Sequence, residues 1–213
     1  MILVTPEWRR KGLATRLMQS CTEALLARNL VPALDASPEG REVYLRLGFR
    51  DGETITRLAG NLGSLTNAIS GEISPIGSSD LAEIIAYDSR SSGTDRTALL
   101  GHLAQRLPRC GFLARRGGKI VGYVMARDGR MSAQIGPLLA DDEETALALL
   151  AAAGRAADGN ICLDLFDRRK TMRAWLDAHS FVPVTRFIRM VHGSTDIFPA
   201  DHRVYVIAGP ELG

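Results

Sequence analysis

The sequence lacks the features that mark several kinds of binding site. Its three cysteines, Cys21, Cys110 and Cys162, are odd in number, widely spaced and without a CxxC pair. This pattern argues against a disulfide framework or a zinc knuckle and predicts that each cysteine is a small apolar core residue. The four histidines show no ligand spacing either. The sequence therefore predicts no metal site.

Long apolar runs and a strong charge of one sign are also missing. No run reaches the roughly 18 residues of a membrane-spanning helix, and residues 1–7 lack the basic-then-apolar order of a signal peptide. The net charge is only +2 and aromatic residues make up 6% of the chain, so a nucleic-acid site using Arg9, Arg10, Lys11 and Arg16 has weak support. We expect a cytoplasmic protein without membrane or nucleic-acid partners.

The apolar content is that of an ordinary globular protein. Of the 213 residues, 46% are apolar, which is enough to bury the core of one large or two small domains. Periodicity and turn residues predict mixed α/β structure. The predicted helices are 14–25, 38–47, 80–87, 95–107, 143–157 and 169–179, and the predicted strands are 2–4, 30–36, 49–58, 72–77, 111–116, 119–127, 132–138, 160–166, 182–192 and 204–207.

A basic turn containing glycine lies between the first predicted strand and the first predicted helix. The first N–H groups of a helix have no internal partner and lie at the positive end of its dipole, so they suit an anion. Gly12 lets a phosphate approach the backbone, because no Cβ intervenes. Basic side chains and a threonine hydroxyl add donors. The predicted diphosphate-binding residues are Val4, Arg9, Arg10, Lys11, Gly12, Leu13, Ala14 and Thr15. The alternative is a solvated basic turn.

Two motifs in the first 60 residues resemble a known family. Arg9-x-x-Gly12-x-Ala14, after a hydrophobic strand, resembles motif A of the GNAT acetyltransferases, whose pattern is Gln/Arg-x-x-Gly-x-Gly/Ala. Tyr44, three residues and then Gly48-Phe49 resemble motif B. The resemblance implies a GNAT-like mixed α/β sheet in which acetyl-CoA, the co-substrate, lies between two splayed strands. It also implies transfer of acetyl to a small-molecule or protein amine.

The same resemblance suggests roles for two positions. Tyr44 is the candidate general acid that protonates the leaving thiolate, and a phenol of pKa about 10 is protonated at neutral pH. A backbone N–H near Val4 is the candidate donor to the carbonyl oxygen. The alternative for Tyr44 is that its ring only packs between helix and sheet.

A weak internal repeat predicts how the chain is organised. Leu34-Asp35 recurs as Leu163-Asp164, Phe49 recurs as Phe181, and Arg57 recurs as Arg189. Only the second copy follows a full set of GNAT-like elements, so we expect the first domain to lack its N-terminal half in this chain. The predicted organisation is the C-terminal half of a GNAT domain at 1–60, a linker at 61–71, a complete GNAT-like domain at 72–193 and a tail at 194–213 with one strand.

The second predicted domain departs from the family. Four acids, residues 141–144, stand where the phosphate loop is expected and would repel a diphosphate. We expect this domain to shape the acceptor site or to serve as a structural partner. Residues 88–96 resemble the Asp-x-x-x-x-Gly-x-Asp-Arg segment of a tandem GNAT subgroup, which makes Asp88 and Arg96 weak candidates for acceptor contacts. A helix cap at Asp95 is the competing role for that segment.

Two functions remain open at this point. The first is an acyl-CoA-dependent N-acyltransferase. The second is a GNAT relic that binds coenzyme A, or plays a structural or regulatory role, without catalysis. The acceptor amine and the oligomeric state are also open, with a homodimer as one alternative.

Overall fold

A computed structural model describes residues 4–63, 72–193 and 202–212. The helices are α1 Leu13–Leu26, α2 Pro38–Arg46, α3 Leu81–Ser92, α4 Thr97–Arg106, α5 Glu143–Ala156 and α6 Lys170–Ala178. The strands are β1 Ala33–Ala36, β2 Phe49–Gly60, β3 Glu72–Pro75, β4 Phe112–Arg116, β5 Lys119–Arg127, β6 Ala133–Ala140, β7 Ile161–Phe166, β8 Val182–His192 and β9 Val204–Ile207. Each matches a predicted element, apart from shifted ends. Of the predicted strand at 2–4, only Val4 is described, and it is not in a strand.

The chain divides into two compact units that are not contiguous in sequence. The first contains the described residues of Met1–Thr54 and Phe187–Pro199, and the second those of Ile55–Arg186 and Ala200–Gly213. Strands β2 and β8 therefore contribute residues to both units. The contiguous domains predicted at 1–60 and 72–193 differ from these units because each half supplies part of one strand to the other half's unit.

The first unit is a small sheet with two helices. Its strand order is β1-β8-β2, and β1 pairs with β8 in antiparallel register. Ala36, Phe49 and Met190 form its buried core. Met18 of α1 and Tyr44 of α2 both pack against this core, so the helices that carry the two motifs share one set of core contacts.

The second unit contains most of the buried apolar residues. Its strand order is β2-β7-β9-β6-β5-β4-β3. Strands β6 and β7 pair directly in parallel only where they begin, at Ala133–Ile135 and Ile161–Leu163. Further along, β9 lies between them and pairs with both in antiparallel register.

Two segments predicted to be peripheral contribute to the core of the second unit. The tail strand β9 is an internal strand, and Val206 and Ile207 are fully buried. Leu62, in the predicted linker, is also buried and packs so closely on α5 that a Cβ on Gly154 would lie 2.6 Å from it. Residues 64–71 of that linker lie outside the described residues. Of the cysteines, Cys110 is buried as predicted, whereas Cys21 is exposed on α1.

Candidate functional site

The N-terminus of α1 is open. Gly12, its N-cap residue, has φ of 72° and supplies no side-chain cap to the first N–H groups of the 14-residue helix. Apart from Gly12 itself and its two chain neighbours, no described residue has an atom within 4 Å of the position that a Cβ on Gly12 would take. Uncovered N–H groups with open space above them are what a diphosphate requires.

The basic turn before α1 is held by its own side chains. The Arg9 Nε donates to the Val4 carbonyl at 3.1 Å, and the Lys11 ammonium lies 4.5 Å from the centre of the Trp8 ring. Arg10 has φ of 61°, an uncommon left-handed conformation for a residue with a side chain. The structure thus brings the predicted basic residues into one exposed turn at the positive end of α1.

Leu13, Ala14 and Thr15 form the first turn of α1 and are partly buried. Their backbone N–H groups, rather than their side chains, are the groups that the helix end directs outward. Val4 lies at the start of the described chain, and its carbonyl is engaged by Arg9.

Tyr44 lies on α2 and is partly buried. Its ring meets Phe49 edge-on with the centroids 6.1 Å apart. A Cβ on Gly40 would come within 3.0 Å of the Tyr44 ring, so that glycine makes room for it. Ser37 is the N-cap residue of α2, and its Oγ accepts a hydrogen bond from the Gly40 N–H. The ring contacts agree with a packing role, and a partly buried phenol remains compatible with proton donation.

The Gly48-Phe49 pair is explained by a residue that the sequence analysis did not single out. Gly48 has φ of 85°, and a Cβ there would lie 3.0 Å from the His192 Nε2. The His192 ring also packs on Phe49, with the centroids 5.3 Å apart. The glycine of the second motif is therefore required both for its backbone conformation and for the close approach of β8.

Two equivalent Arg–Asp pairs join strands from opposite halves of the sequence. In the first unit, Arg189 of β8 forms a two-pronged ion pair with Asp35 of β1. In the second unit, Arg57 of β2 forms the same pair with Asp164 of β7. The repeat of Asp and Arg in the sequence was the signal for both pairs, although it did not reveal their crossed partners.

The acids at the start of α5 are occupied within the second unit. Asp142 caps α5 by accepting from the Thr145 N–H at 2.8 Å and pairs with Arg116 at 2.9 Å. The Thr145 N–H lowers the pKa of Asp142. Asp141 accepts a hydrogen bond from the Tyr87 hydroxyl at 2.9 Å. A carboxylate thus stands at this helix end where a phosphate would bind.

The gap between β6 and β7 is also filled. Strand β9 pairs with both, and the Arg169 guanidinium donates to the Val204 carbonyl at 2.9 Å and lies 3.8 Å from the centre of the Tyr205 ring. The resemblance implies that an acyl-CoA arm would enter this gap. In the second unit, the chain's own C-terminal strand takes that position.

Asp88 and Arg96 lie in a buried network of the second unit. The Arg96 Nε donates to Asp88 Oδ1 at 3.0 Å, and the Tyr123 hydroxyl donates to Asp88 Oδ2. Asp88 and Tyr123 are both fully buried. Burial raises the pKa of Tyr123 well above its ordinary value, and the Asp88 charge raises it further. An acceptor would reach Asp88 only if this network opened. Asp95 accepts from the Thr97 N–H at the start of α4, in the capping role.

The described residues contain no cluster of three or more His, Cys, Asp or Glu side chains arranged to hold a metal ion. Among the same residues, no helix has both the length and the apolar character needed to cross a bilayer.

Comparison with known proteins gives consistent matches. A family model described as an acetyltransferase (GNAT) domain matches residues 84–206, and a second model with that description matches residues 1–60. The holothin acyltransferase of Pseudoalteromonas sp. (strain SANK 73390) is 29% identical over 213 residues, which cover 99% of this chain and 71% of that protein.

Solved structures share the fold at low sequence identity. A candidate acetyltransferase from Pyrococcus horikoshii matches with a TM-score of 0.77 and 21% identity, covering 99% of this chain and 69% of that chain. A GCN5-related N-acetyltransferase from Sphaerobacter thermophilus matches with a TM-score of 0.61 and 19% identity, covering 88% of this chain and 70% of that chain. A tandem GNAT protein from the clavulanic acid biosynthesis pathway matches with a TM-score of 0.56 and 16% identity, covering 91% and 74%.

Proposed function

Because the chain belongs to the GNAT acetyltransferase family, we propose that it is an N-acyltransferase that takes an acetyl group from acetyl-CoA. The observation that carries this proposal is the open N-terminus of α1, with the uncrowded Gly12 and its neighbouring basic residues. The corresponding helix end of the second unit is capped by Asp142. We therefore assign coenzyme A binding to the first unit alone.

The proposed reaction is direct attack of a neutral amine on the thioester carbonyl. A bond forms between the amine nitrogen and the carbonyl carbon, and the carbon–sulfur bond breaks. The amine loses one proton and the thiolate gains one, so no net proton is released. The turn at residues 9–15 fixes the diphosphate and thereby orients the thioester. Tyr44 donates the proton to the sulfur and is then reprotonated.

The nature of the acceptor is suggested by the curated relative. That protein is a holothin acyltransferase, so holothin is the first acceptor to test. Polyamines, aminoglycosides, amino acids and protein amines complete the panel. The partly buried Tyr44 side chain is the group that we expect to lie nearest the departing sulfur.

Binding is tested first and turnover second. Trp8 is 56% exposed and contacts Lys11 in the proposed loop, so acetyl-CoA binding should change its fluorescence. The variant Trp175→Phe removes the signal of the other tryptophan. Calorimetric titration gives the affinity. Mass spectrometry of acetyl-CoA and amine mixtures detects the acylated product. Absence of any binding signal at acetyl-CoA concentrations far above about 100 µM contradicts the proposal. The melting temperature should then not rise either, because a ligand that binds the folded state stabilises it by mass action.

A second candidate is a coenzyme A-binding unit without catalysis. Large apolar side chains of the first unit are exposed, among them Leu17 at 52% and Leu26 at 45%. Apolar side chains that are left exposed at separate positions among the described residues fit a unit in which the acceptor side of the site is not assembled. Acetyl-CoA binding without acylation of any amine in the panel supports this candidate over the enzyme.

A further inference from the structure

We propose that Arg189, which belongs to the second GNAT-like half of the chain, is a positioning residue for the acyl-CoA site of the first unit. This inference rests on the proposed function. The Arg189 Nε donates to Asp35 Oδ1 at 2.9 Å, and its Nη2 donates to Asp35 Oδ2 at 3.0 Å. The side chains are only 21% and 2% exposed. A bidentate pair of this kind fixes direction as well as distance.

Asp35 stands directly before the elements that carry Tyr44. It is followed by Ala36, which is buried in the core of the unit, and by Ser37, which caps α2. The ion pair therefore holds the end of β1 at the point where the chain turns into the Tyr44 helix. Because α2 carries Tyr44, the pair of Arg189 with Asp35 acts on the thioester end of the proposed site rather than on the diphosphate loop at residues 9–15.

Arg189 is itself held from its other side. Strand β8 lies between β1 and β2, and a Cβ on Gly52 of β2 would come within 3.0 Å of the Arg189 carbonyl oxygen. Three residues on, His192 packs on Phe49. The backbone of Arg189 thus has little freedom to shift. We infer that the second half of the chain completes the site by supplying this strand.

The chain contains a matched control for this role. Arg57 pairs with Asp164 at 2.8 and 2.7 Å, and the two residues are direct cross-strand partners, as Arg189 and Asp35 are. This second pair lies in the unit where Asp142 caps the corresponding helix and β9 fills the gap. Loss of Arg57 therefore removes the same two-pronged pair from a place that the proposed site does not use, while Asp164 keeps its hydrogen bond from the Gln134 amide at 2.7 Å.

The test compares two ligands in two variants. Adenosine 5′-diphosphate carries a diphosphate but lacks the pantetheine arm and thioester of acetyl-CoA. In Arg189→Ala we expect the affinity for acetyl-CoA to fall about tenfold while the affinity for the diphosphate nucleotide stays within about twofold. In Arg57→Ala we expect both affinities to stay within about twofold of wild type, despite a similar fall in melting temperature. Arg189→Lys keeps the positive charge but not the two parallel N–H donors of the guanidinium, so it should recover part of the lost affinity for acetyl-CoA.

The outcomes distinguish a failure of the positioning role of Arg189 from a failure of the proposed function. Unchanged affinity for acetyl-CoA in Arg189→Ala, a parallel loss for both ligands, or an equal loss in Arg57→Ala overturns the positioning role. If Arg189→Ala does not fold, the same comparison is made in Arg189→Lys, namely the affinity for acetyl-CoA relative to the affinity for adenosine 5′-diphosphate. A wild-type chain that binds neither ligand overturns the proposed function and the positioning role with it. A loss of affinity for acetyl-CoA but not for adenosine 5′-diphosphate, seen in Arg189→Ala and not in Arg57→Ala, supports the proposed function and the positioning role.

Discussion

Single residues differ sharply in what the surrounding structure requires of them. Gly12 and Gly93 share a left-handed backbone and open surroundings, yet only Gly12 begins a helix flanked by basic residues. Gly48 has a left-handed backbone too, but it is crowded by His192. Similar glycine conformations therefore occur in an open turn in one place and in close packing of side chains in another.

Gly12→Asp should abolish acetyl-CoA binding, because it places a carboxylate in the space assigned to the diphosphate. Gly93→Asp is the control, since it introduces the same side chain at φ of 68° in the second unit. Calorimetric titration of both variants is the measurement. Equal affinities in the two variants would remove Gly12 from the site.

Tyr44→Phe should lower turnover about tenfold to a hundredfold and leave acetyl-CoA affinity largely intact, because only the hydroxyl is lost. The ring contacts with Phe49 and Gly40 stay in place, so the fold should be unaffected. Steady-state kinetics with an active acceptor measures the effect. Turnover equal to wild type assigns Tyr44 to packing alone.

The elements show how the two halves of the chain have diverged. Helix α1 begins at a glycine, whereas α5 begins at an acid that satisfies its own helix end. Strand β1 pairs with β8 as β7 pairs with β2, but β7 also pairs with β9 on its other side, whereas β1 is an edge strand among the described strands. The second half therefore keeps the order of helices and strands while its helix end and strand gap are used for internal contacts.

Asp142→Ala should lower the free energy of unfolding at pH 7 by about 1 kcal/mol, the usual contribution of an N-cap. The folded state holds the pKa of Asp142 below its ordinary value through the Thr145 N–H. Stability from this group is therefore present above the unfolded-state pKa and lost as the pH falls through the folded-state pKa. Urea unfolding between neutral and acidic pH measures this effect.

Asp142→Asn is the control for that prediction, because asparagine also caps a helix but does not titrate. The free energy of unfolding of this variant should stay near that of wild type at neutral pH. It should lack the part of the loss at acidic pH that comes from protonation of Asp142. A difference between wild type and Asp142→Ala that persists unchanged at low pH would contradict the capping account.

The whole molecule is organised by a reciprocal exchange of strands. The Arg57 end of β2, from the first half of the sequence, pairs with β7 in the second unit. The Arg189 end of β8, from the second half, pairs with β1 in the first unit. Neither half of the sequence supplies all the described strands of one unit by itself.

Residues 1–60 produced alone should therefore fail to bind acetyl-CoA, since β8 would be absent from their sheet. Co-production with residues 61–213 should restore the complex and its binding. Affinity purification through a tag on one fragment, followed by calorimetry, is the measurement. Full affinity in the isolated fragment would show that the first unit does not need the strand from the second half.

Local signals explain why so much was predictable from the sequence. The bounds of β5, β8 and β9 coincide with those predicted from strand-forming residues and the turn residues that flank them. Ser37 before Pro38 is a local signal for the start of a helix, as is Asp142 before two further acids, and both residues are N-caps in the structure. The internal position of β9 was not predictable, because a short apolar strand carries no information about its neighbours.

The sequence by itself determined the family and the elements and predicted the basic turn that we propose binds a diphosphate, because each depends on residues close together in the chain. Only the tertiary structure decided which strands pair. Asp35 and Asp164 offer the same carboxylate, and Arg57 and Arg189 offer the same guanidinium. The local chemistry of either pairing is equal, so the choice between them depends on long-range register and packing. That choice makes the end of β8, from the second half of the sequence, part of the first unit.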